Sequence, residues 1–322
     1  GYFTLDGAEP SVWAPLSGLY PCADGYVRIH ANFIHHRDGV LRLLGVRGDP
    51  DRATRDDVTT ALGQWKAVDF ESQAADAGMV VAAVRSFATW DAHPQAAEIA
   101  RLPLFSLRRI GPADPPVLPP LQRSHAPLTG IKVLDLTRIL AGPVCGRTLA
   151  AHGATVMLIN SPQLPNIESI ADTSRGKLSA LLDLTTVADR AGLHELLRDT
   201  RIFVQGYRPG GLARLGFGPG ELAVLRPGII YVSLTAYGPT GPWTNRRGFD
   251  SLVQSAAGFN DAEALAAGSD SPRPMPVQIL DYASGFLMAF AAEVALYRQL
   301  HEGGSWLVEV SLAQTAHWLR RL

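Results

Sequence analysis

Only two cysteines, Cys22 and Cys145, occur in 322 residues, far apart and without CxxC spacing. A disulfide framework is excluded, a thiolate metal site has no ligand set, and so sparse a use of thiols suits a reducing compartment; a cytoplasmic setting and no bound metal are the expectations. Charge is scarce too. Charged residues make up 18% of the chain and the formal net charge is −1, so nothing directs the protein to nucleic acid or to an anionic membrane surface. No uninterrupted apolar run approaches the roughly 18 residues of a membrane span, and no basic-then-apolar segment opens the sequence. The expected partner is a small molecule. Gly1 to Asp6 reads as the interior of a segment, which is the start expected of part of a longer gene product.

What is present organises itself into two parts, as expected for a length above what one core of about 250 to 300 residues serves. Residues 111–128, GPADPPVLPPLQRSHAPL, hold six prolines, which remove backbone donors and force extended geometry; they read as a linker. Before it, within residues 1–110, GLYPCADGYVRIHAN alternates like a strand pair around Ala23-Asp24-Gly25. Two helical patterns, HHRDGVLRLLG and RDDVTTALGQWKAVDFESQAADAG, and a strand-like MVVAAVRS follow, giving a small α+β domain. After it, residues 129–322 alternate strand and helix: IKVLDLT, a helix over about 142–152, TVMLIN, LSALLDL, a helix over 188–197, RIFVQGY, a short helix over 219–225, then GIIYVSLTAYG. That rhythm predicts an α/β fold, a doubly wound, Rossmann-like parallel sheet with its ligand at the carboxyl ends of the strands.

The motifs such a sheet usually carries are absent. The first turn reads LTRILAGPVCG, which has no GxGxxG, so a nicotinamide cofactor is disfavoured; no GxxxxGK[ST] loop and no GxSxG elbow occurs either. His35 and His36 are neighbours on a helix and point apart, which rules out a shared metal and leaves a solvated face; His152, His194, His301 and His317 stand singly and read as surface or capping residues. VQGYRPGGLARLGFGPGEL sets Arg208 and Arg214 among glycines directly after a strand. Arg208 and Arg214 can clamp phosphates there, or be the solvated residues of an ordinary strand-to-helix turn. SRGKL adds Arg175 and Lys177 at the mouth of another strand, and two basic turns at one sheet edge favour a polyphosphate ligand.

Asp281 lies between the apolar run Val277 to Leu280 and a helix expected to begin near Ala283. Taken by itself it is an N-cap, satisfying free amides at the helix start.

GIKVLDLTRILAGPVCGRTLAAHGATVMLIN, SRGKLSALLDL, VQGYRPGGLARLGF, LRPGIIYVSLTAYGPTGPW, RRGFDSLVQSAAG, QILDYASG and EGGSWLVEVSLAQTA follow one another from Gly130 to Ala316. In that order they resemble the family III coenzyme A transferases, the CaiB/BaiF family. The resemblance implies CoA as substrate, held by the parallel sheet, and makes Asp281 the nucleophile. It implies CoA contacts at Gly206, Tyr207, Arg208, Arg214 and Leu215, with Tyr237, Ala141 and Gly142 lining the site. It also implies an acyl-CoA and a carboxylic acid as substrates, and an interlocked homodimer as the assembly. YPCADGYVRIH and VVAAVRSFATWDAHPQA resemble the family's small domain, which here precedes the large one; a permuted chain or part of a longer fusion is the expectation.

An ionised carboxylate attacks a thioester carbonyl without a partner base. The resemblance implies transfer through an acyl-aspartyl anhydride and an aspartyl-CoA thioester, with Gly285 leaving room. A racemase branch of the same family uses a histidine in a GHD sequence, where this chain has Gly248-Phe249-Asp250, and phenylalanine cannot exchange a proton. A racemase, a carnitine-type CoA enzyme and a noncatalytic CoA-binding subunit are the competing expectations.

Overall fold

The computed structural model describes residues 13–118, 120–164 and 166–322. The expectation drawn from Gly1 to Asp6, and Pro119 of the proline-rich run, lie outside them. In chain order the elements are β1 Gly18–Pro21, β2 Tyr26–Ile29, α1 Ile34–Leu43, α2 Arg55–Leu62, α3 Ala67–Asp76, β3 Val81–Ala83, α4 Phe87–Asp91, α5 Pro94–Arg101 and β4 Ser106–Gly111. There follow β5 Lys132–Leu136, α6 Ala141–Ala151, β6 Thr155–Asn160, α7 Ile170–Thr173, β7 Lys177–Leu181, α8 Val187–Leu197, β8 Ile202–Gln205, α9 Pro219–Leu225 and β9 Ile230–Thr235. The last are α10 Asp250–Ala256, α11 Phe259–Ala266, α12 Ile279–Glu302, β10 Ser305–Ser311 and α13 Leu312–Leu319.

Two compact units result, and neither is one continuous stretch. One comprises Leu102–Thr235 with Asp281–Ser311; the other comprises the described residues up to Arg101 with Ala236–Leu280 and Leu312–Leu322. Residues 236–280, which the sequence grouped with the large part, thus cluster with the N-terminal one. The proline-rich run is more than a connector: Gly111 closes β4, and Ala113 O accepts a hydrogen bond from Gly304 N at 2.8 Å.

The first unit is a seven-stranded sheet in the order β4-β10-β9-β8-β5-β6-β7, in which β4 alone runs antiparallel, against β10. Leaving the edge strand aside, the order is that of the doubly wound dinucleotide fold, and it reverses between β5 and β8. Alternate residues of each strand face opposite layers, and both layers are filled. Val133, Val156, Ile202, Val204, Ile230 and Val308 pack with Leu149 and with Met288, Ala292 and Ala295 of α12. Leu134, Leu136, Phe203 and Tyr231 pack on the other face with Leu193, Leu197, Phe217 and Leu222.

One 18-residue window of α12 has mean hydropathy 1.5, so by length and composition this helix could span a bilayer, although Asp281 and Glu293 keep it from being an uninterrupted apolar run. Its small residues instead press one face into the core: Ala289, Ala291, Ala292 and Ala295 are each no more than 1% exposed.

The second unit carries an antiparallel sheet, β1-β2-β3. The long helical pattern after Asp51 is two helices, α2 and α3, parted at Gly63 to Lys66. Glu71 of α3 grips Arg85 in a two-pronged buried pair, at 2.9 and 2.6 Å, and also accepts from Ala83 N at 2.9 Å.

Candidate active site

Strand polarity fixes where the first unit can hold a ligand. The carboxyl ends of β5, β6, β7 and β8 surround a cleft of about 340 Å³ whose lining includes Leu136, Ile159, Asn160, Leu182, Asp183 and Tyr207. Arg208, Leu212 and Leu215 close the same cleft from the β8 turn. Apolar walls with a few polar groups at the rim suit a nucleoside, and the position matches the strand-order reversal. Of the expected contacts the cleft gathers Tyr207, Arg208 and Leu215, while Arg214 stands exposed on the adjoining 3-10 turn, Ala213–Leu215. Tyr207 N donates to Gln205 Oε1 at 2.9 Å, and burial pushes its phenol above the ordinary value, opposed by the Arg138 charge.

Asp183 was not singled out in the sequence. Its carboxylate accepts from Thr185 Oγ1 at 2.6 Å, Thr185 N at 3.0 Å and Gln163 Nε2 at 2.8 Å, bonds that hold it below the ordinary carboxylate range. The available signal was a carboxylate placed directly after a parallel strand.

The two basic turns do not converge. Gly206 to Arg208 follow the carboxyl end of β8, whereas Arg175 precedes the amino end of β7, and β7, β6, β5 and β8 run parallel to one another. Arg175 lines a different groove, with Arg147, His152 and Phe286. Lys177 is no edge cation either. Its ammonium is 2.8 Å from Asp135 Oδ2 and 2.8 Å from Pro143 O, and Thr137 Oγ1 holds the other Asp135 oxygen at 2.5 Å. Lys177 therefore pins the first turn of α6 to β5, a positioning role.

That lock secures an irregular turn. Ile139, β-branched, has φ of 76°, in the left-handed region where such residues are strained. Gly142 lets the chain return, since a Cβ there would lie 2.4 Å from Thr137. Ala141 and Gly142, both buried, open α6.

Helix α12, which carries Asp281, packs on the first turn of α6 at Gly285. Helix α12 begins at Ile279, so Asp281 is its third residue, inside the first turn, and the helix starts earlier than the apolar run suggested. The side chain is 7% exposed. Because α12 ends at Glu302 and β10 starts at Ser305, the helix runs antiparallel to β10 and its first turn lies on the carboxyl side of the sheet. Gly285, one turn further along the same face, makes the approach possible: a Cβ there would sit 2.5 Å from Ala141 O and 2.7 Å from Val144 Cβ. A helix N-terminus also favours a carboxylate's negative charge and carries free amides for a developing oxyanion. Next to it, burial raises the Tyr282 phenol, with Asp172 adding to the shift and Arg147 opposing it.

Tyr237 and Phe249 belong to the second unit. Tyr237 is 2% exposed, its ring meets Trp243 edge-on at 4.9 Å, and burial raises its phenol strongly, so it packs as core. The expected solvated face of α1 is half right: His35 is exposed, but His36 is buried, with Nε2 3.1 Å from Arg247 Nη1. Among the described residues no group of three histidine, cysteine or acidic side chains is placed to hold a metal.

The profile of CoA-transferase family III matches residues 128–321. The acetyl-coenzyme A transferase nodX of Hypoxylon pulicicidum is 36% identical over 200 residues, 61% of this chain and 34% of that protein. An acyl-CoA transferase of Gibberella moniliformis is 30% identical over 318 residues, 92% of this chain and 55% of the relative, so the likeness extends into the part before residue 128. A crystal structure of a CAIB/BAIF family protein from Brucella suis superposes with a TM-score of 0.53 at 27% identity, covering 61% of this chain and 56% of that one. The chain thus spans about half or less of the length of these relatives. With the strand order, the cleft and the profile in agreement, the chain belongs to CoA-transferase family III.

Proposed function

We propose that the protein moves CoA from an acyl-CoA thioester to a carboxylic acid, with Asp281 as the nucleophile. The observation that supports the proposal is the seat of Asp281, withdrawn from solvent in the first turn of α12, four residues before Gly285, which packs on the first turn of α6. The CoA nucleoside takes the cleft ending β5, β6, β7 and β8, and Arg208 meets a phosphate at its rim.

Asp281 attacks the thioester carbonyl; the C–S bond breaks, leaving an acyl-aspartyl anhydride and CoA thiolate. The thiolate then attacks the aspartyl carbonyl, freeing the donor acid and leaving an aspartyl-CoA thioester. An incoming carboxylate displaces CoA thiolate to form a second anhydride, whose acyl carbonyl the thiolate attacks, so that acyl-CoA leaves and the aspartate returns. No step needs a proton donor, which fits a site organised around one carboxylate. Phe249, at the place of the racemase histidine, has no proton to exchange and speaks against racemisation. A homodimer is the proposed assembly, to be read from the mass in solution.

The test uses the chain alone with acetyl-CoA, chosen because nodX is named for it. Hydroxylamine added during turnover should convert Asp281 to its hydroxamate, seen by peptide mass, and Asp281→Ala should abolish transfer while CoA still binds. Full activity in Asp281→Ala would overturn the proposal. Binding of CoA without any transfer would identify a noncatalytic subunit.

A further inference from the structure

We propose that Asp183 makes the nucleoside cleft select an unphosphorylated ribose, so that the chain binds 3′-dephospho-CoA, adenosine diphosphate linked to pantetheine, more tightly than CoA itself. The inference rests on the placement of the nucleoside at the ends of β5, β6, β7 and β8, and goes beyond it by fixing which ribose the cleft admits.

The cleft is graded in charge. Among the described residues that line it, the charged ones are Arg208 and Asp183. Arg208 follows β8 and Asp183 follows β7; β5 and β6 lie between, so the two strands stand roughly 14 Å apart. Two further cations of this edge keep to the β8 side. Arg214 sits on the turn Ala213–Leu215, and Arg138 follows β5, where its charge acts on the Tyr207 phenol. That side suits the diphosphate bridge.

The β7 side is different. Its polar lining consists of Asn160, Ser161, Gln163, Asp183 and Thr185, none of them a cation. Arg190 of α8 approaches this loop, but its Nη1 donates to Leu184 O at 2.8 Å and to Thr185 O at 3.0 Å, and its neighbour Asp189 accepts from Asp183 N at 2.7 Å. Hydrogen bonds from Thr185 and Gln163 keep Asp183 ionised at neutral pH. Oδ1 takes both Thr185 bonds and Oδ2 takes the one from Gln163. A carboxylate has about four lone-pair directions, so one on Oδ2 is left for a ligand donor.

In doubly wound folds an acid at a strand end accepts from a free ribose hydroxyl, whereas a ribose phosphate is met by an arginine. This lining supplies the acid and places its arginine three strands away. A 3′-hydroxyl donates to Asp183; a 3′-phosphate meets it as a like charge.

The experiment measures by calorimetry the affinity of the whole chain for CoA and for dephospho-CoA, in wild type and Asp183→Asn, at about 0.01 M and about 1 M salt. At low salt, wild type should prefer dephospho-CoA about fivefold, the scale of one like-charge contact near the surface. The preference should shrink below about twofold at high salt, where the screening length is roughly 3 Å. Asp183→Asn keeps an acceptor for Thr185 and should erase the preference by binding CoA more tightly. Equal affinities at low salt, tighter binding of CoA by wild type, or an Asp183→Asn chain that keeps the preference overturns the inference and leaves the nucleoside cleft standing. A preference unchanged by salt overturns it as well, whether or not the variant folds. Absence of binding by either compound overturns the cleft assignment and the inference with it.

Discussion

Lys177 Nζ and Asp135 Oδ2 lie 2.8 Å apart with both side chains no more than 1% exposed, 42 residues apart in sequence. Gly146 is what admits them, since a Cβ at that position would be 2.2 Å from Asp135 Oδ2. Removing one partner of a buried pair leaves the other charge uncompensated, at a cost of about 3–5 kcal/mol. Lys177→Met and Asp135→Asn should each lower stability in urea by that order. The double replacement Asp135→Asn with Lys177→Met should cost less than the two single changes added together; simple additivity would mean the pair is not a unit.

Gly285 predicts a separation of folding from chemistry. Gly285→Ala puts a methyl against Ala141 O and Val144, so the start of α12 must move by enough to relieve contacts of 2.5 and 2.7 Å. Overpacking of this kind costs about 1–3 kcal/mol. The variant should stay folded by circular dichroism, melt lower, and lose transfer by more than tenfold with CoA binding retained, since the nucleophile and not the nucleoside cleft has shifted. Unchanged turnover would remove Asp281 from the position proposed for it.

The alternation of strands and helices from β5 to β9 was legible because both faces of a parallel sheet are covered, so each strand reads as a short apolar run and each Gly or Pro turn as punctuation. The start of α12 was not: Pro276 and Val277 disguise a helix that begins at Ile279, and hydropathy cannot tell a core helix from a spanning one. The nucleophile role proposed for Asp281 rests on resemblance, since a lone Asp before an apolar run is indistinguishable from a cap. Lys177 looked like a free cation because its partner lies on another strand. His36 looked solvated because the arginine that meets it, Arg247, is 211 residues away.

Arg208 supplies a kinetic prediction. It lines the cleft from the exposed turn after β8, the end of the site proposed for the CoA nucleoside and its phosphates. Loss of binding energy made equally in ground and transition states raises KM and leaves kcat in place. Arg208→Met should raise the KM for acyl-CoA roughly tenfold, the scale of one charge-assisted hydrogen bond, with kcat within about twofold. A fall in kcat at unchanged KM would move Arg208 out of the nucleoside end of the site.

Histidine burial sets the acid limit of the second unit. Burial is the leading cause that depresses His30, His93 and His317, and His30 is held down to about 3, with the Arg28 charge adding to the effect. A histidine neutral in the fold and free to take a proton when unfolded gives the unfolded chain more bound protons between the two values. Stability is then complete above the unfolded value of about 6.5 and is lost as pH falls from there toward 3. The slope from His30 is at most about 1.4 kcal/mol per pH unit, or roughly 2 kcal/mol between pH 7.5 and pH 5. His30→Phe keeps a ring against Phe249 and removes the titration, so its denaturation midpoint should fall less than that of wild type over this range. Equal losses in the two proteins would mean that His30 takes up its proton in the folded state, which a buried imidazole beside Arg28 should resist.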